Sequence, residues 1–586
     1  MSKAWLVVVL AGLGLSLVYG CGHSADGEGR SESPDAAGRS DAAEDSIGSI
    51  GALDAGSDSI ALGSDAGVAE DTGPVCSPVP SEADGGAPIP TAGMTNLVPL
   101  PVSVVPAGGT FVLPPSATIL VQPGTAEMLA IGEYLAAKVR TSTGYAVPVV
   151  AASGPAPCAG DLVLTTVGGD STLGSEGYDL AITPDQVLLS AYEPAGVFRG
   201  LQTLRQLLPA AIESTTVSPG PWGIATGTIH DTPRFAWRGT MLDVARHFFG
   251  VEDVEKYIDL LAYYKINTFH IHLTDDQGWR IAINSWPNLT TYGGSTEVDG
   301  GAGGYYTQDD YSGIVAYANA RYITVVPEID MPGHTNAALA SYGDLACDGT
   351  APPLYTGVAV GFSSLCVSSS MTYTFVSDVI QQVAGLSPGP YYHVGGDEAT
   401  ATSGADFQTF FSQIEPFVKT AGKQMVGWDA IGQLTSLLPG TVVQYWASGD
   451  AAFVTDALAH NAKVLMSPAS LAYMDMKYNP DTPVGQTWAG YIDEQTAYSW
   501  DPAAVLSGVT DTQLVGLEAP LWTELLVTLA DLEYMAFPRI AGYAEIGWSP
   551  IAGRGWDEYR ERIGAQGPRL RALAVNYYVS SLIPWQ

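Results

Sequence analysis

The chain has 586 residues, with 61 Asp and Glu against 24 Lys and Arg, giving a formal net charge of −37 and a pI near 4.2. A field of that sign repels phosphate backbones, so nucleic acid is excluded as a partner, while neutral substrates are compatible with it. The length exceeds one simple core and implies two or three domains, and 67 Gly and 39 Pro give a globular, loop-rich composition.

Residues 1–20 read as a signal peptide. Lys3 precedes an apolar run from Ala4 to Val18, shorter than the about 20 residues a membrane helix needs. Val18-Tyr19-Gly20-Cys21 resembles a bacterial lipobox, which predicts lipidation of Cys21, although Tyr19 is not the usual small residue there. Plain secretion or a periplasmic location is the alternative. Gly22 in place of Asp is compatible with outer-membrane sorting, so a lipid anchor is the only membrane contact expected. Residues 21–92 are rich in Gly, Ala, Ser, Asp and Glu and contain no aromatic residue. They read as a disordered acidic linker.

Residues 93–232 alternate short strand-like and helical patterns and are expected to form a small α/β domain. Phe111-Val112-Leu113 and Asp161–Leu164 look like strands, and Ala126–Ser142 and Gly200–Leu208 like helices. In an exported protein, Cys347 and Cys366, which flank one long loop, are a candidate disulfide. Cys76 and Cys158 are a second candidate pair, and free thiols are left open for both.

From residue 233 to 586 the pattern becomes regular. Eight apolar, β-rich runs lie near Trp237–Val244, Asn267–Leu273, Ile323–Ile329, Tyr391–Val394, Gln424–Trp428, Thr441–Trp446, Ala462–Met466 and Gln513–Leu517. Helical stretches separate most of them, and each leads into a polar or aromatic cluster. This is the pattern of a catalytic (β/α)8 barrel, whose active sites sit at the C-terminal ends of the strands.

The fourth run ends His393-Val394-Gly395-Gly396-Asp397-Glu398. Alternating side-chain directions give Asp397 and Glu398 different environments, and a polarised acid pair is the usual equipment for breaking a glycosidic bond. Trp428, Trp446 and Trp522 follow other strands and can wall a sugar pocket. His270 and His272, near Asp275 and Asp276, form only a fragment of a metal site, so no metal or cofactor is expected. His272 is instead assigned to a buried hydrogen-bonded network. No G-x-S-x-G turn supports a nucleophilic serine.

Taken together, the chain resembles glycoside hydrolase family 20, the β-N-acetylhexosaminidases. The stretches that carry the resemblance are Pro233–Gly239, His272–Gln277, Pro327–His334, His393–Glu398 and Leu521–Glu524, with Glu176–Tyr178 and Gly200–Leu204 in the preceding domain. The resemblance implies an exo-acting, retaining enzyme that removes terminal N-acetylglucosamine or N-acetylgalactosamine from glycans or chitin fragments. The substrate's own 2-acetamido group serves as nucleophile and passes through an oxazolinium. It implies Glu398 as general acid, Asp397 as the residue orienting the acetamido N–H, and Tyr473 as donor to its oxygen. Trp428, Trp446 and Trp522 would enclose the acetamido methyl, Arg238 and Glu524 would hold O3 and O4, and Asp475 would reach O4 or O6. Asp275, Asp330 and His334 would support the acid, and Trp488 would meet the next sugar. One departure is Trp428-Asp429-Ala430, where the family often has Trp-Asp-Glu. Competing readings are a non-catalytic surface sugar-binding protein, a family member releasing a disaccharide or sulfated sugar, and an unrelated barrel glycosidase with its own carboxylate nucleophile.

Overall fold

The computed structural model describes residues 93–152, 157–446 and 451–586. The signal peptide, Cys21, the acidic linker and Cys76 lie outside the described residues. Cys158 is disulfide-bonded, and Cys347 is joined to Cys366 across a sequence separation of 19.

The first domain is a seven-stranded mixed sheet. Its strands are β1 (Ser103–Val112), β2 (Ile119–Gln122), β3 (Val149–Ala151), β4 (Leu162–Thr165), β5 (Tyr178–Ile182), β6 (Val187–Ala191) and β7 (Gly223–Asp231), in the order β1-β7-β5-β6-β4-β2-β3. Two helices pack on it, α1 (Ala126–Thr143) and α2 (Pro194–Leu207). Helix α1 buries Met128, Ile131, Leu135 and Val139 at helical spacing. Thr125 caps its start by accepting the Met128 N–H, and Gly144 ends it with φ of 74°.

The second domain is a closed barrel of eight parallel strands. These are β8 (Trp237–Asp243), β9 (Thr268–His272), β10 (Thr324–Glu328), β11 (Tyr391–His393), β12 (Gln424–Trp428), β13 (Val442–Tyr445), β14 (Lys463–Met466) and β15 (Leu514–Leu521). The period of two sorts their side chains. In β9, Phe269 faces outward onto Tyr257 of helix α3 (Val251–Tyr263), with ring centroids 6.0 Å apart. His270 and His272 therefore face inward.

The interior is layered. Trp237, Val326, Val426, Val442 and Leu465 form an apolar plug. Above it comes a polar layer of His270, Glu328, His393, Gln444 and Glu518, all fully buried. Strand register sets this level, since Val326 pairs with His270, and Glu328 pairs with both His272 and His393.

The two domains are stitched together at the strands' N-terminal ends. Trp548 Nε1 donates to Asp231 Oδ1 at 2.8 Å, and Lys265 Nζ to Asp231 Oδ2 at 2.9 Å. Arg238 belongs to this seam, which corrects its expected role in holding sugar hydroxyls. It is the second residue of β8, roughly 16 Å of strand before Asp243. Its side chain is fully buried and donates to Glu176 at 2.5 Å, to the Lys265 carbonyl at 3.0 Å and to the Phe235 carbonyl at 2.8 Å. The Glu176 carboxyl, buried yet flanked by Arg238 and Arg199, is pulled down to about 2.

Arg238→Gln should therefore lower stability by about 3–5 kcal/mol, the scale for breaking a buried ion pair. KM for the sugar substrate that the resemblance implies should stay unchanged. Chemical denaturation together with steady-state kinetics checks this. A raised KM with unchanged stability would return Arg238 to the sugar site.

Candidate active site

The site lies at the C-terminal mouth of the barrel, on the turns that follow the strands. The turn after β11 presents the acid pair. Gly395 and Gly396 have φ of 65° and 99°, and Glu398 itself has φ of 43°. That left-handed run swings the chain out of the strand and leaves Asp397 inward and Glu398 at the mouth. Asp330, on the turn after β10, anchors it by accepting the Gly396 N–H at 3.1 Å.

The two acids differ in environment. Asp397 is buried, whereas Glu398 leaves 37% of its side-chain surface accessible at the mouth. Partial burial, then the adjacent Asp397 carboxylate, push the Glu398 carboxyl up to about 7, with His334 and Arg246 opposing. A proton near neutrality is what a general acid needs. Behind the pair stands His334, whose Nε2 lies 3.7 Å from Glu398 Oε2 and 3.8 Å from Asp397 Oδ2. Its Nδ1 lies 3.2 Å from Asp275 Oδ1. Burial works against a charged imidazole here, but Asp275 and Asp330 outweigh it and raise His334 well above its ordinary value.

Asp275 gathers three basic groups. Besides His334, it meets Arg246 Nη2 at 2.7 Å and His272 Nε2 at 2.9 Å. Burial would raise its carboxyl, but Arg246 and the two histidines hold it well below the carboxylate range. Asp330 behaves oppositely, because burial and the Asp397 charge raise it well above that range.

A ring of aromatics closes the pocket. Trp428 and Trp522 lie 5.7 Å apart, Trp522 and Tyr473 6.3 Å, Tyr473 and Trp446 6.4 Å and nearly parallel. Trp488, 58% exposed, stands edge-on to Trp446 and Tyr473 at 6.0 and 5.8 Å on the rim. Burial, Asp397 and Asp475 raise the Tyr473 phenol well above 10, so it remains a donor. Asp475 and Glu524 share the far wall. Burial and the Glu524 charge raise Asp475, and burial also raises Glu524 against the pull of Arg246.

Arg246 is a site residue that the sequence analysis missed. It lies three residues beyond β8, 3.8 Å from Glu524 Oε1, with its charge 4.8 Å over the Trp522 ring. The strand-end rule could have identified it, since Arg238 stands at the wrong end of the same strand. Several buried polar atoms around this pocket have no protein partner: Asp397 Oδ1, Asp475 Oδ1, Glu524 Oε2 and Trp446 Nε1. Buried polar atoms are normally satisfied, so such a cluster marks groups suited to a polar ligand.

The departure at Ala430 leaves this ring intact. Asp429 Oδ2 accepts the Trp446 backbone N–H at 3.2 Å, and Ala430 packs on the hydrophobic core. The donor atoms of His270, Glu328 and His393 lie within 4.8 Å of one another, a spacing that would suit a metal. However, Glu328 is already engaged on both oxygens. Glu328 Oε1 takes the Trp428 indole N–H at 2.8 Å and lies 2.9 Å from His393 Nδ1, while Oε2 bonds His272 Nδ1.

The turn also explains a strict glycine. A Cβ on Gly395 would stand 1.7 Å from Asp330 Oδ1, on a backbone already at positive φ. Gly395→Ala should displace Asp397 and Glu398 and lower kcat about 100-fold, the scale of a misplaced reacting group. Activity and thermal unfolding measured together check this, and wild-type kcat in a folded variant would contradict the geometry.

Comparison with known proteins agrees with this architecture. The model for glycosyl hydrolase family 20, catalytic domain, matches residues 235–406 and 401–551, and that for family 20, domain 2, matches 94–232. A β-N-acetylhexosaminidase of Cellulomonas fimi is 39% identical over 490 residues, covering 83% of this chain and 97% of its own length. The solved family 20 β-N-acetylhexosaminidase of Streptomyces coelicolor A3(2) superposes with a TM-score of 0.81 at 48% identity, over 85% of this chain and 100% of that one. A mutant Streptomyces plicatus β-hexosaminidase in complex with product, GlcNAc, gives 0.82 at 49% identity, over 85% and 99%. With both of its domains matched and its barrel closed around the acid pair, the chain belongs to glycosyl hydrolase family 20.

Proposed function

We infer that the chain is an exo-acting β-N-acetylhexosaminidase, a glycoside hydrolase that releases a terminal N-acetylhexosamine by substrate-assisted catalysis. The observation that carries the mechanism is Glu398, held protonated to about 7 at the mouth of an aromatic pocket beside the buried Asp397. The product-bound Streptomyces plicatus relative supports N-acetylglucosamine as one sugar released.

In this reading the sugar's acetamido group enters the ring of Trp428, Trp446, Trp522 and Tyr473. Asp397 accepts the acetamido N–H, and Tyr473 donates to the acetamido oxygen and holds it beneath C1. Glu398 gives its proton to the glycosidic oxygen. The C1–O bond breaks, the leaving group departs neutral, and the acetamido oxygen bonds C1 to form an oxazolinium. The Asp397 carboxylate stabilises that positive charge. Glu398, now a carboxylate, takes a proton from water, whose oxygen attacks C1 and reopens the ring with net retention. Positioning the nucleophile inside the substrate replaces a bimolecular attack, an exception to the two-carboxylate scheme. Arg246, Glu524 and Asp475 bind the ring hydroxyls.

The test compares aryl β-N-acetylglucosaminide with aryl β-glucoside. Only the first should be cleaved, and Glu398→Gln and Asp397→Asn should each lose about 10²–10⁴-fold in kcat. Hydrolysis of the plain glucoside would require a protein nucleophile and overturn the reading. Because Glu398 must be protonated, kcat/KM should fall as pH rises through about 7. Removing the Asp397 charge, which raises that carboxyl, should move the residual activity's alkaline limb to lower pH.

We also propose export and anchoring through acylated Cys21, supported by the apolar run and lipobox-like residues at 4–21. Incorporation of a fatty-acid label that Cys21→Ser abolishes is the expected result, and label retained in that variant contradicts it.

A further inference from the structure

Beneath the site, buried charges of alternating sign run along the barrel interior. Glu518 Oε1 accepts from His270 Nδ1 at 2.8 Å, and His270 Nε2 lies 3.1 Å from Glu328 Oε2. Glu328 Oε2 accepts a hydrogen bond from His272 Nδ1, His272 Nε2 meets Asp275 at 2.9 Å, and Asp275 meets His334, the group behind Glu398. His272 has a carboxylate on each ring nitrogen, so only the doubly protonated imidazolium satisfies both contacts. Burial opposes that charge, yet Glu328 and Asp275 hold the imidazole at about 10.

Glu328 touches the site in a second way. Its other oxygen, Oε1, accepts the indole N–H of Trp428 at 2.8 Å, and Trp428 is a wall of the aromatic pocket. One buried carboxylate thus holds, on one oxygen, the relay to the acid, and on the other the pocket wall. It is fully buried and makes no hydrogen bond or ion pair with Glu398.

We propose that Glu328 is a positioning residue that couples the protonation of Glu398 to the shape of the acetamido pocket, through His272–Asp275–His334 on one side and Trp428 on the other. The proposal rests on the reading of the pocket given above. An amide keeps the two links but not the charge: without an anion on Nδ1, His272 gives up its second proton, the amide N–H donates to the bare Nδ1, and the amide oxygen still accepts the Trp428 indole N–H. The Asp275 charge is then less compensated. In Glu328→Ala the charge and both links are lost. The groups facing Glu398 are Asp397 on its own turn, His334 after β10, Arg246 after β8 and Asp275 after β9. Those facing Glu328 are His270 and His272 on β9, His393 on β11 and Trp428 on β12. A less compensated Asp275 raises Glu398.

The experiment measures pH profiles and N-acyl preference for wild type, Glu328→Gln and Glu328→Ala, using aryl glucosaminides bearing N-acetyl or N-butanoyl groups. In Glu328→Ala, kcat/KM for the N-acetyl substrate should fall about 10-fold, on the scale of a displaced positioning group. Its alkaline limb should move up by about half a pH unit, as a neighbouring charge does. The N-butanoyl to N-acetyl ratio should rise at least about three-fold as Trp428 loosens. Glu328→Gln should reproduce the pH shift and leave the N-acyl ratio at the wild-type value, because Trp428 keeps its acceptor.

A folded Glu328→Ala enzyme with an unmoved limb and unchanged ratio overturns the proposal. So does a Glu328→Gln enzyme that relaxes N-acyl preference as far as Glu328→Ala. If Glu328→Ala does not fold, the limb of Glu328→Gln decides, and an unmoved limb overturns the coupling. Failure of the wild type to prefer acetamido substrates over glucosides would instead strike the function itself.

Discussion

Every feature of the site depends on how the barrel interior neutralises its own charge. Eight parallel strands aim one side chain in two at a space closed to solvent, and here that space holds Glu518, Glu328, Asp275 and Asp243 among imidazoles and a guanidinium. Burying such groups costs several kcal/mol each unless every one is paired. Pairing leaves little freedom. Asp275 meets three basic groups, His272 is clamped between two carboxylates, and Arg246 meets Asp243, Asp275 and Glu524. The orientation of His334, and through it the surroundings of Glu398, follows from these contacts.

The same constraint links distant segments. The turn that carries Asp397 and Glu398 is tied to Asp330, and the Trp428 indole to Glu328, so acid and pocket wall share anchors in neighbouring strands. Above the acid, Thr400 Oγ1 donates to the Gly361 carbonyl at 2.7 Å. Gly361 lies in the long loop held by the Cys347–Cys366 bond, and Ser363 of that loop donates to Asp276 at 2.5 Å. At the opposite end, the first domain closes the barrel floor with Glu176 and Asp231, which engage Arg238 and Lys265. Catalytic geometry is thus concentrated at one end and domain adhesion at the other.

Much of this is legible in the sequence. Each barrel strand coincides with an apolar run that breaks into polar residues, because parallel strands are buried on both faces. The acid pair stands out through its two glycines, which the turn requires. The first domain is harder to read. Strands such as Tyr178–Ile182 and Val187–Ala191 are short and half-buried, and a few alternating residues between turns give a weak signal. The Arg238 error has a definite physical origin. Motif position identifies an arginine, but strand polarity decides which end of the barrel it reaches, and Arg246 lies beyond the strand where Arg238 lies at its start. The ladder below the site was legible only as a His-x-His. Its partners Glu328, His393 and Glu518 come from three other strands, and register alone brings them to one level.

In the proposed mechanism the nucleophile belongs to the substrate, and the pocket of Trp428, Trp446, Trp522 and Tyr473 aims it. The most direct test is a series of aryl glucosaminides whose N-acetyl group carries zero, one, two or three fluorines. Fluorine weakens the carbonyl oxygen as a nucleophile while changing its size little. With a substrate nucleophile, log kcat falls steeply and steadily along the series. A flat series would mean that the acetamido oxygen takes no part in breaking the glycosidic bond, and would overturn substrate assistance.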